Sequence, residues 1–214
     1  MSIDDHAHRP TLKRLPKSIP VVASPSAAAV AKELGFQNIT TLKHGEQTTI
    51  EGGGEEGGGR MMTIQATVGA LVGPPWSTRE NGFILRETMP GGVSLYYEPH
   101  CDYVLDSIKN ALAQGGEEGG GVDVVVTPPS TQSLLGAYDL VKGNTDNIVL
   151  LKTLKPKVVV PLLNAEFDST GPLAAVIVET GGVEELAKAM GCVEELKGVK
   201  VMIPMAAQPL SIKL

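Results

Sequence analysis

The side chains able to do chemistry gather in two clusters. The denser is Asp4-Asp5-His6-Ala7-His8. Carboxylate and imidazole donors together suit zinc, iron or manganese, because both offer lone pairs near neutral pH. A loop entering a helix would let several of these groups converge on one ion. The same residues have a plainer use. Acidic side chains favour helix N-termini through capping and the macrodipole, so Asp4 and Asp5 can simply start a helix.

The second cluster is Glu98-Pro99-His100-Cys101-Asp102, directly after an apolar run ending at Tyr97. A strand end is a good platform for functional groups, since the backbone behind it is fixed. Here too a structural use competes: His100 could be satisfied by a backbone carbonyl, and Asp102 could cap a following helix. Cys101 beside His100 would suggest a thiol nucleophile, but adjacent residues on an extended chain point to opposite sides. His44, before Gly45, reads as an exposed turn residue. There is no Gly-x-Ser-x-Gly elbow.

These clusters need elements to hold them. Pro10 to Leu15 reads as a short helix with proline near its start. Ile19 to Ala23 reads as a strand, Ala27 to Leu34 as a helix capped by Ser24 or Ser26 and stopped by Gly35, and Asn38 to Leu42 as a strand. Such alternation marks an α/β layer. Gln47 to Ile50, Met61 to Val68, Phe83 to Glu87 and Val93 to Glu98 then predict an antiparallel meander. Tyr103 to Ala113 predicts a helix, and Val122 to Val126 a strand buried on both faces. Helices over Asn147 to Leu154 and Val183 to Met190, with strands over Val158 to Leu162, Val199 to Ile203 and Leu210 to Leu214, complete the reading. The segments 52–59 and 115–121 share the string Gly-Gly-Glu-Glu-Gly-Gly-Gly. They read as flexible acidic loops; no Gly-Lys-Ser/Thr ending follows, and their carboxylates would repel a phosphate.

Composition narrows the function classes. A chain of 214 residues suits a single domain over 1–214. A net charge of −6 argues against a nucleic-acid partner. The run Arg9, Lys13, Arg14 and Lys17 reads as a solvated helix face. Cys101 and Cys192 form no CxxC pair, which fits a reducing compartment. No apolar run reaches the roughly 18 to 20 residues that span a bilayer, and the polar opening lacks a signal-peptide core. The expectation is an intracellular, soluble protein of the cytoplasm or chloroplast stroma, with no membrane partner.

Several stretches together resemble the metallo-β-lactamase fold. Asp5-His6, a helix and Ile19-Pro-Val-Val-Ala23 resemble the stretch after that family's His-x-His-x-Asp-His loop. Val72-Gly-Pro-Pro-Trp-Ser-Thr-Arg79 with Gly82-Phe-Ile-Leu85 looks like its third ligand region in the branch of L-ascorbate-6-phosphate lactonase-like hydrolases. Leu95-Tyr-Tyr-Glu-Pro-His100 falls where that branch ends a strand in Gly-Asp, and Val158-Val-Val-Pro-Leu-Leu163 where its final Pro-x-His would be. The resemblance runs through nearly the whole chain in order and is nearest to the plant and cyanobacterial proteins of the group.

The resemblance implies an α/β, metallo-β-lactamase-like αβ/βα sandwich lacking its first strands, hence a truncated chain. It implies zinc or another divalent metal and a small-molecule substrate. Measured against that pattern, Pro75, His100 and Leu163 stand where histidine, aspartate and histidine are usual. The ligand set it leaves is Asp5, His6 and His100, with Asp5 also catalytic and His8 or Asp102 as additions. Trp76 and Arg79 are the implied substrate contacts. Two outcomes follow: a metal-dependent hydrolase of weak or vestigial activity, or a non-catalytic binding module or fragment that keeps the scaffold.

Overall fold

The computed structural model describes residues 7–52, 60–73, 76–115, 120–163, 176–205 and 208–214. Most of the two glycine–glutamate segments, 53–59 and 116–119, lies outside the described residues.

The first described element is α1 (Arg9–Arg14), with Pro10 in the first turn where its missing N–H costs nothing. Two members of the basic run have local partners. Arg9 pairs with Glu33 at 2.8 Å, and Lys17 lies 4.4 Å over the Phe36 ring. Next, β1 (Pro20–Ala23), α2 (Pro25–Glu33) and β2 (Asn38–Thr41) form a parallel two-stranded unit, with Pro20 opposite Asn38. The expected serine cap is absent. Ser24 stands at the cap position without a capping bond; its hydroxyl and that of Ser26 instead donate to the Glu80 carboxylate at 2.7 and 2.9 Å.

The meander forms as expected: β3 (Gln47–Gly52), β4 (Arg60–Val68), β5 (Asn81–Glu87) and β6 (Ser94–Tyr97) pair antiparallel in succession. After α3 (Leu105–Gln114) the sheet turns parallel. β7 (Val124–Thr127) pairs with β6, β10 (Val158–Pro161) with β7, and β12 (Lys200–Val201) with β10. The described strands thereby make a seven-stranded sheet in the order β12-β10-β7-β6-β5-β4-β3. β7 has a parallel neighbour on each side, and its Val124 and Val125 are buried.

A third, three-stranded sheet was not expected. Its order is β11-β8-β9, from β8 (Ser130–Leu134), β9 (Tyr138–Lys142) and β11 (Ile177–Gly181), all antiparallel. The tail differs from expectation too: 210–214 is irregular, and the strand predicted over Val199 to Ile203 shrinks to two residues.

Side-chain alternation on β5 divides the core. Ile84 joins Tyr96, Val125 and Val159 on the face covered by α3, α4 (Thr145–Leu154) and α5 (Val183–Gly191), through Ile108, Leu150, Leu151, Leu154, Leu186 and Met190. Phe83 and Leu85 face the other way, toward Ile64, Ala66 and Leu42, with Val22 of the two-stranded unit packed beside them. Both faces of the large sheet are therefore covered, helices on one and the β1–β2 unit on the other, as the period of two along a strand requires. Among the described residues no helix is long and apolar enough to cross a membrane.

Candidate functional site

The parallel strands β6, β7 and β10 end on the same side of the sheet, and the second sequence cluster sits there. Just past β6, Glu98 is 1% exposed. Its Oε2 accepts the backbone N–H of His100 at 3.1 Å and of Asp102 at 2.9 Å, so one carboxylate oxygen closes the whole turn. Cys101 takes a left-handed φ of 51° within it, a conformation that a non-glycine residue holds only when its surroundings insist. Room for Glu98 comes from Gly82 on β5: a Cβ there would lie 2.7 Å from Thr67 Oγ1, 3.1 Å from the Tyr96 hydroxyl and 3.2 Å from Glu98 Cγ.

Asp102, 7% exposed, is a charge hub. Arg79 reaches it with both terminal nitrogens, at 2.7 Å to Oδ1 and 3.2 Å to Oδ2. Lys142 of β9 donates to Oδ1 at 3.0 Å, and the Leu71 N–H to Oδ2 at 2.9 Å. The arrangement joins four chain segments, and the Lys142 N–H also bonds to the His100 carbonyl at 2.7 Å. A fork of guanidinium on carboxylate is the strong, directional form of this interaction.

The inner wall is a network around Asn147, which is fully buried on α4. Its Oδ1 accepts from Thr127 Oγ1 at 2.8 Å and from the Cys101 thiol at 3.3 Å, and its Nδ2 donates to the Pro128 carbonyl at 2.7 Å. Burial pushes the Cys101 thiol pKa up, with the charges of Glu98, Asp146 and Asp102 adding to the shift against the bond from Thr127. Cys101 is thus a packed thiol rather than a thiolate nucleophile. Burial, then the Glu98 charge, likewise pushes up Tyr96.

Asp5 and His6 lie outside the described residues. His8 is exposed at the start of α1, with Nδ1 2.7 Å from Thr11 Oγ1. His44 is exposed, and its Nε2 lies 3.1 Å from the Arg79 carbonyl and 3.2 Å from that of Glu80. Trp76 is 86% exposed, and Leu163 is exposed just beyond β10. The structure brings together His100, Asp102 and Arg79 from the sequence reading. Among the described residues no three His, Cys, Asp or Glu side chains are placed to hold a metal ion. His100 and Glu98 stand adjacent, but the neighbouring Asp102 already serves two cations and an N–H. The described donors alone do not fit a metal centre.

Sequence reasoning left three residues out of the site. Glu98 stood inside the second cluster and could have been singled out as an acid at a strand end. Lys142 and Asn147 lie some forty residues away along the chain, and nothing near them in sequence announces the contact.

A family model described as "Beta-lactamase superfamily domain" matches residues 1–163. No curated protein matches. Among solved structures, the chain is similar to a Thermotoga maritima protein described as a Zn-dependent hydrolase of the metallo-β-lactamase superfamily. The identity is 14% and the TM-score 0.43, over 86% of this chain and 84% of that one.

Proposed function

We propose, starting from the fact that this chain belongs to the beta-lactamase superfamily domain family, that it is a metal-dependent hydrolase of weak or vestigial activity. Within the superfamily we place it near the L-ascorbate-6-phosphate lactonase-like branch, with a small ester, lactone or phosphodiester as substrate class. One observation carries the reading: of the acidic groups beside His100, Asp102 is bound to Arg79 and Lys142 and Glu98 to two backbone N–H groups. The turn keeps the position of a catalytic strand end, while its carboxylates hold the protein together. Zinc or a similar divalent ion would rely on His100 with Asp5 and His6, and substrate would lie beside Trp76, with Arg79 committed to Asp102. That set only just reaches the three protein ligands of a catalytic zinc site and falls short of the four of a structural one, so it would hold an ion weakly.

The Asp102 hub favours a second reading, a non-catalytic module that keeps the scaffold. Metal content and turnover separate the two. The purified chain is equilibrated with zinc, desalted and assayed for bound metal, then tested on nitrophenyl ester, lactone and bis-nitrophenyl phosphate probes. The expected result is less than one retained zinc per chain and turnover slightly above background, both reduced by His100→Ala and by His6→Ala. Tightly held stoichiometric zinc with rapid turnover would overturn the vestigial part. Turnover indifferent to both substitutions, with no zinc retained, would leave the module.

A further inference from the structure

We propose that one buried water molecule is bound between β4, β5 and β6, held by the hydroxyls of Thr67 and Tyr96 and by the Glu98 carboxylate. The inference concerns what holds the turn after β6 in place, and it stands apart from the hydrolase reading.

Three adjacent strands bring these groups together. Thr67 of β4 stands opposite Gly82 of β5. Phe83 pairs with Tyr97 and Ile84 with Tyr96 of β6, so Glu98, the next residue, comes alongside Gly82. The period of two along each strand then turns Thr67, Gly82, Glu98 and Tyr96 to one face. Gly82 is the odd member. A glycine inside a strand weakens it and marks a place where something must come close. Its φ is not left-handed, so the backbone conformation does not call for glycine here; space does. From the point where a Cβ would stand, Thr67 Oγ1 lies 2.7 Å away, the Tyr96 hydroxyl 3.1 Å and Glu98 Cγ 3.2 Å.

Burial makes the two hydroxyls costly. Thr67 and Tyr96 are both fully buried, and neither hydroxyl has a hydrogen-bond partner among the described residues. They are near neighbours all the same. The Tyr96 pKa, pushed up by burial and then by the Glu98 charge, is partly drawn back by the Thr67 hydroxyl. Buried polar groups are nearly always paired, with protein or with ordered water. A water making two O–H···O bonds of about 2.8 Å spans oxygens up to roughly 5.6 Å apart, and both hydroxyls lie within 3.1 Å of one point. Buried waters make about three hydrogen bonds to groups otherwise unpaired. This one accepts from the two hydroxyls and donates to Glu98 Oε1, since Oε2 is committed to the N–H groups of His100 and Asp102. It thereby ties β4 and β6 to the carboxylate that shapes the turn.

Crystals of the full chain, at a resolution that shows ordered water, test the site directly. The expected result is density for one water within about 3 Å of Thr67 Oγ1, the Tyr96 hydroxyl and Glu98 Oε1. Urea denaturation of Thr67→Val, Tyr96→Phe and the double variant gives the second readout. Each single change should lower the midpoint, and the double should lose less than the two losses together, because one water serves both hydroxyls. Idle hydroxyls predict the opposite sign: removing a buried polar group that has no partner leaves the midpoint unchanged or raises it. That outcome overturns the proposal, as does density in which the two hydroxyls bond directly with no water between them. A parent midpoint that shifts when sodium is exchanged for potassium would make the ligand a monovalent cation and overturn it too. Should the variants fail to fold, the density of the parent protein alone decides. None of these readouts involves zinc or turnover, so failure of the hydrolase reading leaves this one standing or falling by itself.

Discussion

Two acidic clusters sit at opposite ends of the same parallel strands. Ahead of β7, Asp123 accepts the N–H and hydroxyl of Ser94 at 2.8 and 2.9 Å and pairs with Lys157 at 2.7 Å. Beyond β6, Asp102 accepts one N–H and pairs with Arg79 and Lys142. The donor types are nearly the same; the surroundings are not. The Lys157 side chain is 63% exposed, whereas that of Arg79 is 25% exposed and that of Asp102 9%. Water shares in the first pairing and is largely shut out of the Arg79–Asp102 pair, while Lys142, at 38%, stays open to it. An ion pair that solvent can replace holds little, and one that it cannot replace becomes costly to break.

The largest expected effect is therefore Asp102→Ala. It strands Arg79 and frees the Leu71 N–H and Lys142, and should cost about 3 kcal/mol, the low end for a broken buried pair. Urea denaturation measures it. Replacing both partners with apolar residues, Arg79→Met with Asp102→Leu, should cost less than Asp102→Ala alone, since no charge is then left uncompensated. A loss of under about 1 kcal/mol for Asp102→Ala, the value of a surface pair, would erase the contrast between the two ends.

The wall behind the site gives the next effect. Asn147→Ala leaves the Thr127 hydroxyl, the Cys101 thiol and the Pro128 carbonyl without their partner, which should cost about 1–3 kcal/mol. Cysteine labelling gives a second readout. In the parent protein iodoacetamide should modify the exposed Cys192 and spare Cys101, which is buried with its pKa pushed up. In Asn147→Ala, Cys101 should label measurably faster. Equal labelling of both thiols in the parent would place Cys101 nearer solvent than its 1% exposure allows.

How much of this was legible follows from what each feature depends on. The meander and the helices that cover it were readable because apolar periodicity and turn residues are local. The second cluster was readable for the same reason, being contiguous in sequence. The β8–β9 hairpin was not. Ser130 to Leu134 is polar, and its turn uses Leu135 and Gly136 at φ values of 55° and 66°. The Ala137 N–H bonds to the Leu134 carbonyl at 3.0 Å across that turn. Asn-Gly or Asp-Gly would have signalled such a turn, whereas Leu-Gly does not. Missing the hairpin meant missing Lys142 and with it the second cation on Asp102. Ser24 and Ser26, at the start of α2, look like caps because capping is a local habit; they are drawn off by Glu80, distant in sequence. Burial raises the Glu80 pKa, but opposing interactions, the hydrogen bonds from Ser24 and Ser26 among them, outweigh it and hold the value low. Local rules predicted local structure and failed wherever a distant partner made the better offer.

The smallest effects belong to the outer cluster, and they sharpen the comparison through pH. Burial raises the Asp123 pKa, but the bonds from Lys157 and Ser94 more than offset it, so the folded value lies below the ordinary 3.8. A carboxylate with a depressed folded pKa contributes stability above its unfolded value and loses it as pH falls through the folded one. Asp123→Asn should thus be less stable than the parent at neutral pH, and the gap should close only below pH 3.8. Lys157→Ala should cost about 0–1 kcal/mol and less in high salt, because this pairing is open to water and screening. Urea midpoints across a pH series, with and without added salt, measure both. A gap that persists undiminished in strong acid would mean that Asp123 acts through its shape and hydrogen bonds rather than its charge. A salt-insensitive loss above about 2 kcal/mol on removing Lys157 would put the outer pair in the class of buried ones, and exposure would no longer explain why the two ends differ.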